Sequence, residues 1–293
     1  MRTVFFAFIL FFTIGNIGTT EESIDLWPGN APGETCREPN IEKSLGSAQK
    51  ITTPRLVVFR PEKKTSDLSL LIVPGGGYGT CFYEGEGFLN AKWWNSKGIT
   101  AFVLLYRVPR PKGKPIYFSA LQDGQRAIRW IRANSQKYGL DPNKIGVQGY
   151  SAGGHLTLLL ALNSKTASYD PVDKLDKIPC NVAFAIPVYP AYVLDDGADK
   201  PNKNRGEGAA LLKDFHFDEN SPPLCLIHGH NDIYSSLGSI EIYKKYHQMQ
   251  LPCELHVYTG AVHGFMYWND LENAKTWRDR CFDWLKTIEK QSL

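Results

Sequence analysis

The sequence predicts an α/β protein, a mostly parallel central sheet with helices on both faces. Strand-like and helix-like stretches alternate along most of its 293 residues. The strand-like stretches, such as 68–73 and 144–148, are short apolar runs of the kind buried in a covered sheet. One of them leads through Gly149-Tyr150-Ser151-Ala152-Gly153 into the apolar stretch 154–162, which gives a strand, a tight turn and a helix.

Taken in order, residues 1–20 read as a secretory signal. Arg2 supplies the positive start, 4–14 form an apolar core, and 15–20 are small and polar enough for cleavage. The apolar run falls short of the ~20 residues that span a bilayer. The expectation is therefore a secreted or periplasmic protein without stable membrane insertion, its mature part (21–293) forming one domain. Residues 25–33 are turn-rich and read as an extended arm. Residues 51–60 read as an early strand, with Pro54 making it an edge or irregular one.

The strand at 68–73 runs into Pro74-Gly75-Gly76-Gly77-Tyr78-Gly79, a loop whose backbone N–H groups can turn toward a bound group. It lacks the Gly-Lys-Ser/Thr ending of a phosphate-cradling loop. Helices are expected over 85–97, 119–138, 154–162, 236–249 and 275–290. In the last of these, Trp277, Cys281, Trp284 and Leu285 share one face. Strands are expected over 100–108, 144–148, 181–189, 223–229 and 254–258. Residues 191–220 are heavily charged and read as a cap or loop insertion.

A hydrophobic content of 43% suits a globular core, and a net charge of +3 argues against nucleic acid as the main partner. Cys36, Cys81, Cys180, Cys225, Cys253 and Cys281 are candidates for disulfides in an exported chain, although Cys225 sits in an apolar run that suits a buried thiol. No cysteine or histidine spacing suggests a metal site, and no cofactor is expected.

The chemistry centres on Ser151. A serine at a strand-to-helix turn stands clear of the backbone, but it becomes a nucleophile only when a base takes its proton. That base is a histidine held by a carboxylate, and in this architecture the chain order is Ser, Asp or Glu, His. Asp232 lies just past the 223–229 strand and His263 just past the 254–258 strand, on the sheet edge that carries Ser151. Asp195 and Asp196 are weaker candidates for the acid. The oxyanion of acyl transfer needs fixed N–H donors, expected from Ala152 and from Gly76 and Gly77. Tyr78, Phe82, Tyr83, Tyr150, Phe265 and Trp268 flank these residues in sequence and either line a substrate pocket or fill core, with Tyr78, Tyr150, Phe265 and Trp268 the candidates for substrate binding. His155 is expected to be packed, and Arg107, Asp123 and Arg126 to form structural ion pairs.

These pieces, together with Leu26-Trp27-Pro28, Leu105-Tyr106-Arg107, Gln122-Asp123-Gly124-Gln125-Arg126-Ala127, Asp141-Pro142-Asn143-Lys144-Ile145-Gly146 and His263-Gly264-Phe265, resemble the α/β-hydrolase serine esterases. Within them the chain is similar to the hormone-sensitive-lipase-like group and more closely to bacterial acetylxylan and feruloyl esterases. The resemblance spans nearly the whole mature chain. It implies an α/β-hydrolase catalytic domain with Ser151 as nucleophile, Asp232 as acid, His263 as base, and Gly76, Gly77 and Ala152 as oxyanion donors. The implied substrate is a small-molecule or polysaccharide ester, acetyl first. Rival expectations are a general small-ester carboxylesterase, an amidase or peptidase of the same fold, and a non-catalytic binding protein on that fold.

Overall fold

The computed structural model describes residues 22–38, 41–44, 46–196, 208–267 and 271–292. Residues 1–20, read as a signal, lie outside them, as do Trp268 and the middle of the expected cap. The strands are β1 (Glu22–Asp25), β2 (Ile41–Ser44), β3 (Ser47–Lys50), β4 (Arg55–Phe59), β5 (Ser69–Val73), β6 (Thr100–Leu105), β7 (Ile145–Tyr150), β8 (Phe184–Val188), β9 (Leu224–Gly229) and β10 (Cys253–Tyr258). The α-helices are α1 (Leu89–Ser96), α2 (Phe118–Tyr138), α3 (Ala152–Leu162), α4 (Leu237–Gln248) and α5 (Trp277–Ser292).

Eight strands form one sheet in the order β1-β4-β6-β5-β7-β8-β9-β10, while β2 and β3 form a separate pair. From β6 to β10 every pairing is parallel, and β4 runs antiparallel to both β1 and β6. The central strands β5, β7, β8 and β9 are buried along their whole length, as strands covered on both faces must be. Strand β7 shows the two faces directly, because successive side chains point opposite ways. Gln148 accepts from Trp94 Nε1 of α1 at 2.7 Å. At the next residue, a Cβ on Gly149 would meet Thr157 of α3. Phe282 of α5 joins Trp93 and Trp94 on the α1 face.

Three expectations need correcting. The early strand begins only at Arg55, after Pro54, and it is interior. A proline has no N–H for the ladder, and here it precedes the strand, its carbonyl accepting from Leu26 N at 3.1 Å. The N-terminal arm contributes β1, which covers β4 as the true edge strand. All six cysteines are free thiols, with Cys81, Cys180, Cys225 and Cys281 buried. Of the cap segment, 191–196 and 208–220 are described. Leu194 pairs with Leu211, Phe215 is buried, and Leu211, Leu212 and Phe217 pack on the core.

Candidate active site

Parallel strands present their carboxyl ends on one edge, and three loops at that edge converge. After β7, Ser151 turns the chain into α3 at φ 55° and ψ −119°. A non-glycine residue at positive φ is strained and persists only where its surroundings hold it. Here Ser151 N donates to Val188 O, and Ser151 O accepts from Ala191 N, both at 3.1 Å. The turn also needs close approach on either side of the serine. A Cβ on Gly149 would lie 2.2 Å from Gly153 O, and one on Gly153 would lie 2.1 Å from Val73 O.

Ser151 Oγ lies 2.7 Å from His263 Nε2. His263 Nδ1 lies 2.9 Å from each carboxylate oxygen of Asp232. When Nδ1–H donates to the carboxylate, the Nε2 lone pair faces the hydroxyl. Asp232 is itself held: Tyr234 N donates to its Oδ1 at 2.7 Å, and His228 Nε2 stands 3.5 Å from its Oδ2. His228 is oriented in turn by Ser239 Oγ, 2.8 Å from Nδ1. Burial works against the charge on Asp232, but the nearby His228 ring and the hydrogen bonding of His263 outweigh it and hold the carboxyl well below its ordinary 3.8. Asp195 instead anchors the cap segment, its N–H donating to Ala210 O at 2.8 Å. The carboxylate that reaches His263 is Asp232.

The glycine loop lies against the serine, so that a Cβ on Gly75 would sit 2.9 Å from Ser151 Cβ. Gly76 has φ 126°, and its carbonyl accepts from Gly79 N and Thr80 N, both at 3.0 Å. Tyr106 Oη anchors the loop by donating to Pro74 O at 2.8 Å. Among the described residues, no hydrogen bond engages the N–H of Gly76 or Gly77. Ala152 opens α3, so its N–H has no acceptor inside the helix. Among the described residues, no group of three or more His, Cys, Asp or Glu is arranged to hold a metal ion.

Of the two alternatives for the aromatic residues, Tyr78, Tyr150 and Phe265 take the core one. Tyr78, Tyr150 and Phe265 are exposed by only 1%, 0% and 3%, and their ring faces are taken by protein. Tyr78 Oη bonds His155 Nδ1 at 2.8 Å. Burial in turn depresses the His155 imidazole to about 3, so that ring is neutral packing. Tyr150 packs on Tyr189 and Trp277, and Phe265 on Tyr189, Tyr258 and Trp277.

The half-buried rings beside the reactive groups are Tyr234, centred 4.6 Å from the His263 ring, and Tyr192, 5.5 Å from Tyr234. Tyr192 Oη would stand 3.5 Å from a Cβ on Gly77. Sequence reasoning missed both, and also Glu86, whose Oε2 accepts the Gly75 N–H at 2.6 Å. The one available signal for Tyr234 was its place two residues past the acid.

The BD-FAE family model matches residues 56–237, more than half of the chain. An acetylxylan esterase of Xylanibacter ruminicola is 25% identical over 251 residues, which cover 80% of this chain and 48% of that protein. An endo-1,4-beta-xylanase B of Butyrivibrio fibrisolvens is 35% identical over 126 residues, 43% of this chain and 19% of that protein. The chain thus spans about half the length of the first relative and less of the second. The crystal structure of an acetyl ester-xyloside bifunctional hydrolase from Caldicellulosiruptor lactoaceticus matches with a TM-score of 0.70 and 27% identity, over 92% of this chain and 97% of that one. The architecture is the α/β-hydrolase fold.

Proposed function

The chain belongs to the BD-FAE family, and from that premise we propose that it is a serine carboxylic-ester hydrolase that deacetylates carbohydrate esters through an acyl-enzyme. The observation that carries the proposal is the line from Ser151 Oγ to His263 Nε2 at 2.7 Å and from His263 Nδ1 to Asp232 at 2.9 Å.

Catalysis begins when His263 Nε2 takes the Ser151 proton as Oγ attacks the ester carbonyl carbon. Charge develops on the carbonyl oxygen, where the N–H groups of Ala152, Gly76 and Gly77 are available. Loss of one such donor typically costs about 3–4 kcal/mol of transition-state stabilisation. Asp232 stabilises the imidazolium and keeps its orientation. His263 then gives its proton to the leaving alcohol oxygen as the carbon–oxygen bond breaks, and the acyl group stays on Ser151. A water deprotonated by His263 attacks the acyl carbon, and Ser151 leaves with its proton restored.

Two relatives carry acetyl esters and xylan or xyloside in their names. The cap segment supports a water-soluble substrate. Its apolar residues Leu211, Leu212, Phe215 and Phe217 face the core, so they offer no broad apolar face for docking on a lipid surface. Tyr192 and Tyr234 take the place of the buried rings as aromatic surfaces beside the reacting groups. Residues 1–20 support export, which would bring the enzyme to an extracellular or periplasmic polysaccharide.

The test is labelling by a fluorophosphonate, combined with hydrolysis of p-nitrophenyl acetate, butyrate and palmitate and acetate release from acetylated xylan. Labelling at Ser151, acetate preferred over palmitate, and acetate released from xylan are the expected results. Labelling with palmitate favoured and no release from polysaccharide would point to a general carboxylesterase, and absence of labelling to a binding scaffold.

A further inference from the structure

Glu86 is the buried acid that the chemistry above leaves unused. It is 4% exposed and lies in a π-helical turn, Tyr83–Phe88, which follows the glycine loop after Thr80, Cys81 and Phe82. Such turns are rare and concentrate at functional sites. The backbone of the turn is held by Asn90, whose Nδ2 donates to Gly85 O at 3.0 Å and Glu86 O at 3.2 Å. The carboxylate accepts the Gly75 N–H at 2.6 Å through Oε2 and the Tyr189 hydroxyl at 3.0 Å through Oε1. A Cβ on Gly75 would stand 2.8 Å from Glu86 Oε2 and 2.9 Å from Ser151 Cβ, so one glycine separates this carboxylate from the serine. Tyr189 carries the contact onward, its ring centred 5.2 Å from that of His263.

We propose that Glu86 is a second, positioning carboxylate of this centre, which anchors the oxyanion loop through Gly75 and in its ionised form stabilises the His263 imidazolium from the glycine-loop side. The proposal rests on the assignment of Ser151 and His263 made above.

A purely structural anchor would not need a carboxylate. Burying an acid without a cation is costly, and among the described residues no Lys or Arg pairs with Glu86. The groups facing it are Tyr106 at the end of β6, Ser151 at the turn after β7, Tyr189 after β8 and His263 after β10, with Asp232 beyond His263. Of these, His263 is the one that becomes a cation during the reaction.

Burial pushes the Glu86 carboxyl up to about 7, against the lowering pull of the Gly75 N–H, the Tyr189 hydroxyl and His263. Coupling of this kind is reciprocal, so a His263 cation that favours the Glu86 anion is itself favoured by it. The charge therefore appears in the pH range where a histidine base works.

Glu86→Gln decides the matter. The amide keeps an oxygen for the Gly75 N–H and an NH2 group for the Tyr189 oxygen, and loses only the charge. The readouts are kcat and KM on p-nitrophenyl acetate and thermal melts, measured from about pH 5.5 to about pH 8.5. The ratio of wild-type to variant kcat/KM is expected to be near one at the acid end, where Glu86 is protonated. It should grow to about tenfold at the alkaline end, with the loss in kcat.

The melts carry an independent sign. A raised folded pKa means that the wild-type fold holds its proton between about 4.5 and about 7, so its stability falls as pH rises through that window. The variant lacks this fall, and its melting temperature should rise relative to wild type over the same range. An equal or pH-independent kcat/KM ratio would overturn the proposal.

If Glu86→Gln does not fold, Tyr189→Phe removes one hydrogen bond to the carboxylate and should move the Glu86 step in the kcat/KM profile to higher pH; an unmoved profile is equally fatal. An inactive, unlabelled wild type would sink the esterase assignment itself, whereas a Ser151-dependent enzyme with a flat ratio would sink only the role of Glu86.

Discussion

Asp123 and Asp232 are both buried carboxylates that accept several hydrogen bonds, yet their partners differ in kind. Asp123 sits on α2 and receives Trp27 Nε1 at 2.9 Å, Arg107 N at 2.9 Å and Arg107 Nε at 3.0 Å. It ties the N-terminal arm and the chain after β6 to the helix layer. Asp232 sits in a loop at the strand ends and accepts from His263, which reaches on to a serine, and from Tyr234 N, with the His228 ring 3.5 Å away. A guanidinium keeps its charge throughout the physiological range. An imidazole changes charge there. The first arrangement is a fixed ion pair that serves only the fold, and the second can accept a proton and return it. Burial and hydrogen-bond count do not separate the two; the titration range of the partner does.

The comparison is broken or sharpened most strongly at the serine. Ser151→Ala is expected to lower kcat by on the order of 10⁶ while leaving the melting temperature within a few degrees of wild type. A variant keeping more than about a tenth of wild-type activity would remove the serine from the chemistry. Next, Asp232→Asn should cost on the order of 10⁴ in kcat by presenting the wrong His263 tautomer. If Asp195→Asn does this instead, the acid has been misassigned. Asp123→Asn should behave in the opposite sense. It leaves the Arg107 guanidinium buried with a weakened partner, and should cost about 3–5 kcal/mol in urea melts while kcat per folded molecule stays within about threefold. Loss of kcat with stability intact would erase the distinction between the two sites.

The smallest effect is on acid stability. The folded pKa of Asp232 is depressed below 3.8, so its carboxylate contributes stability above that pH and the contribution is lost as pH falls through the folded value. The stability gap between wild type and Asp232→Asn should therefore be full near neutrality and shrink below about pH 4, a change on the order of 1–3 kcal/mol. A gap that stays constant down to about pH 2.5 would show that Asp232 is not held ionised by its histidines.

Legibility followed how local each signal was. Strands β5 to β9 were readable because each is a short, mainly apolar run with a turn at its end, and β10, Cys-Glu-Leu-His-Val-Tyr, because apolar residues alternate along it. Strand β1, Glu-Ser-Ile-Asp, has no such run and pairs with β4 through its backbone, with Asp25 bonded to Arg55 Nε at 2.8 Å. The β2–β3 pair was missed for the same lack of an apolar pattern. Tyr78, Tyr150 and Phe265 stayed open between pocket and core because nearness in sequence to a reactive residue says nothing about which way a ring points. Tyr150 ends β7 and turns its ring to Trp277 of α5, whereas the next residue leaves the strand altogether.

What the sequence determined by itself was the order of elements from β4 onward, the strand-turn-helix around Ser151, and the set of Ser151, Asp232 and His263 at strand ends. Each of these depends on a few consecutive residues and on the rule that parallel strands share one carboxyl edge. The tertiary structure alone decided which rings face the reacting groups, that Tyr192 and Tyr234 stand there, and that Glu86 is buried against Gly75. Burial and desolvation are sums over neighbours brought together from distant parts of the chain. A glutamate in a polar, glycine-containing stretch reads as a surface residue until the loop after β5 and the tyrosine after β8 close over it.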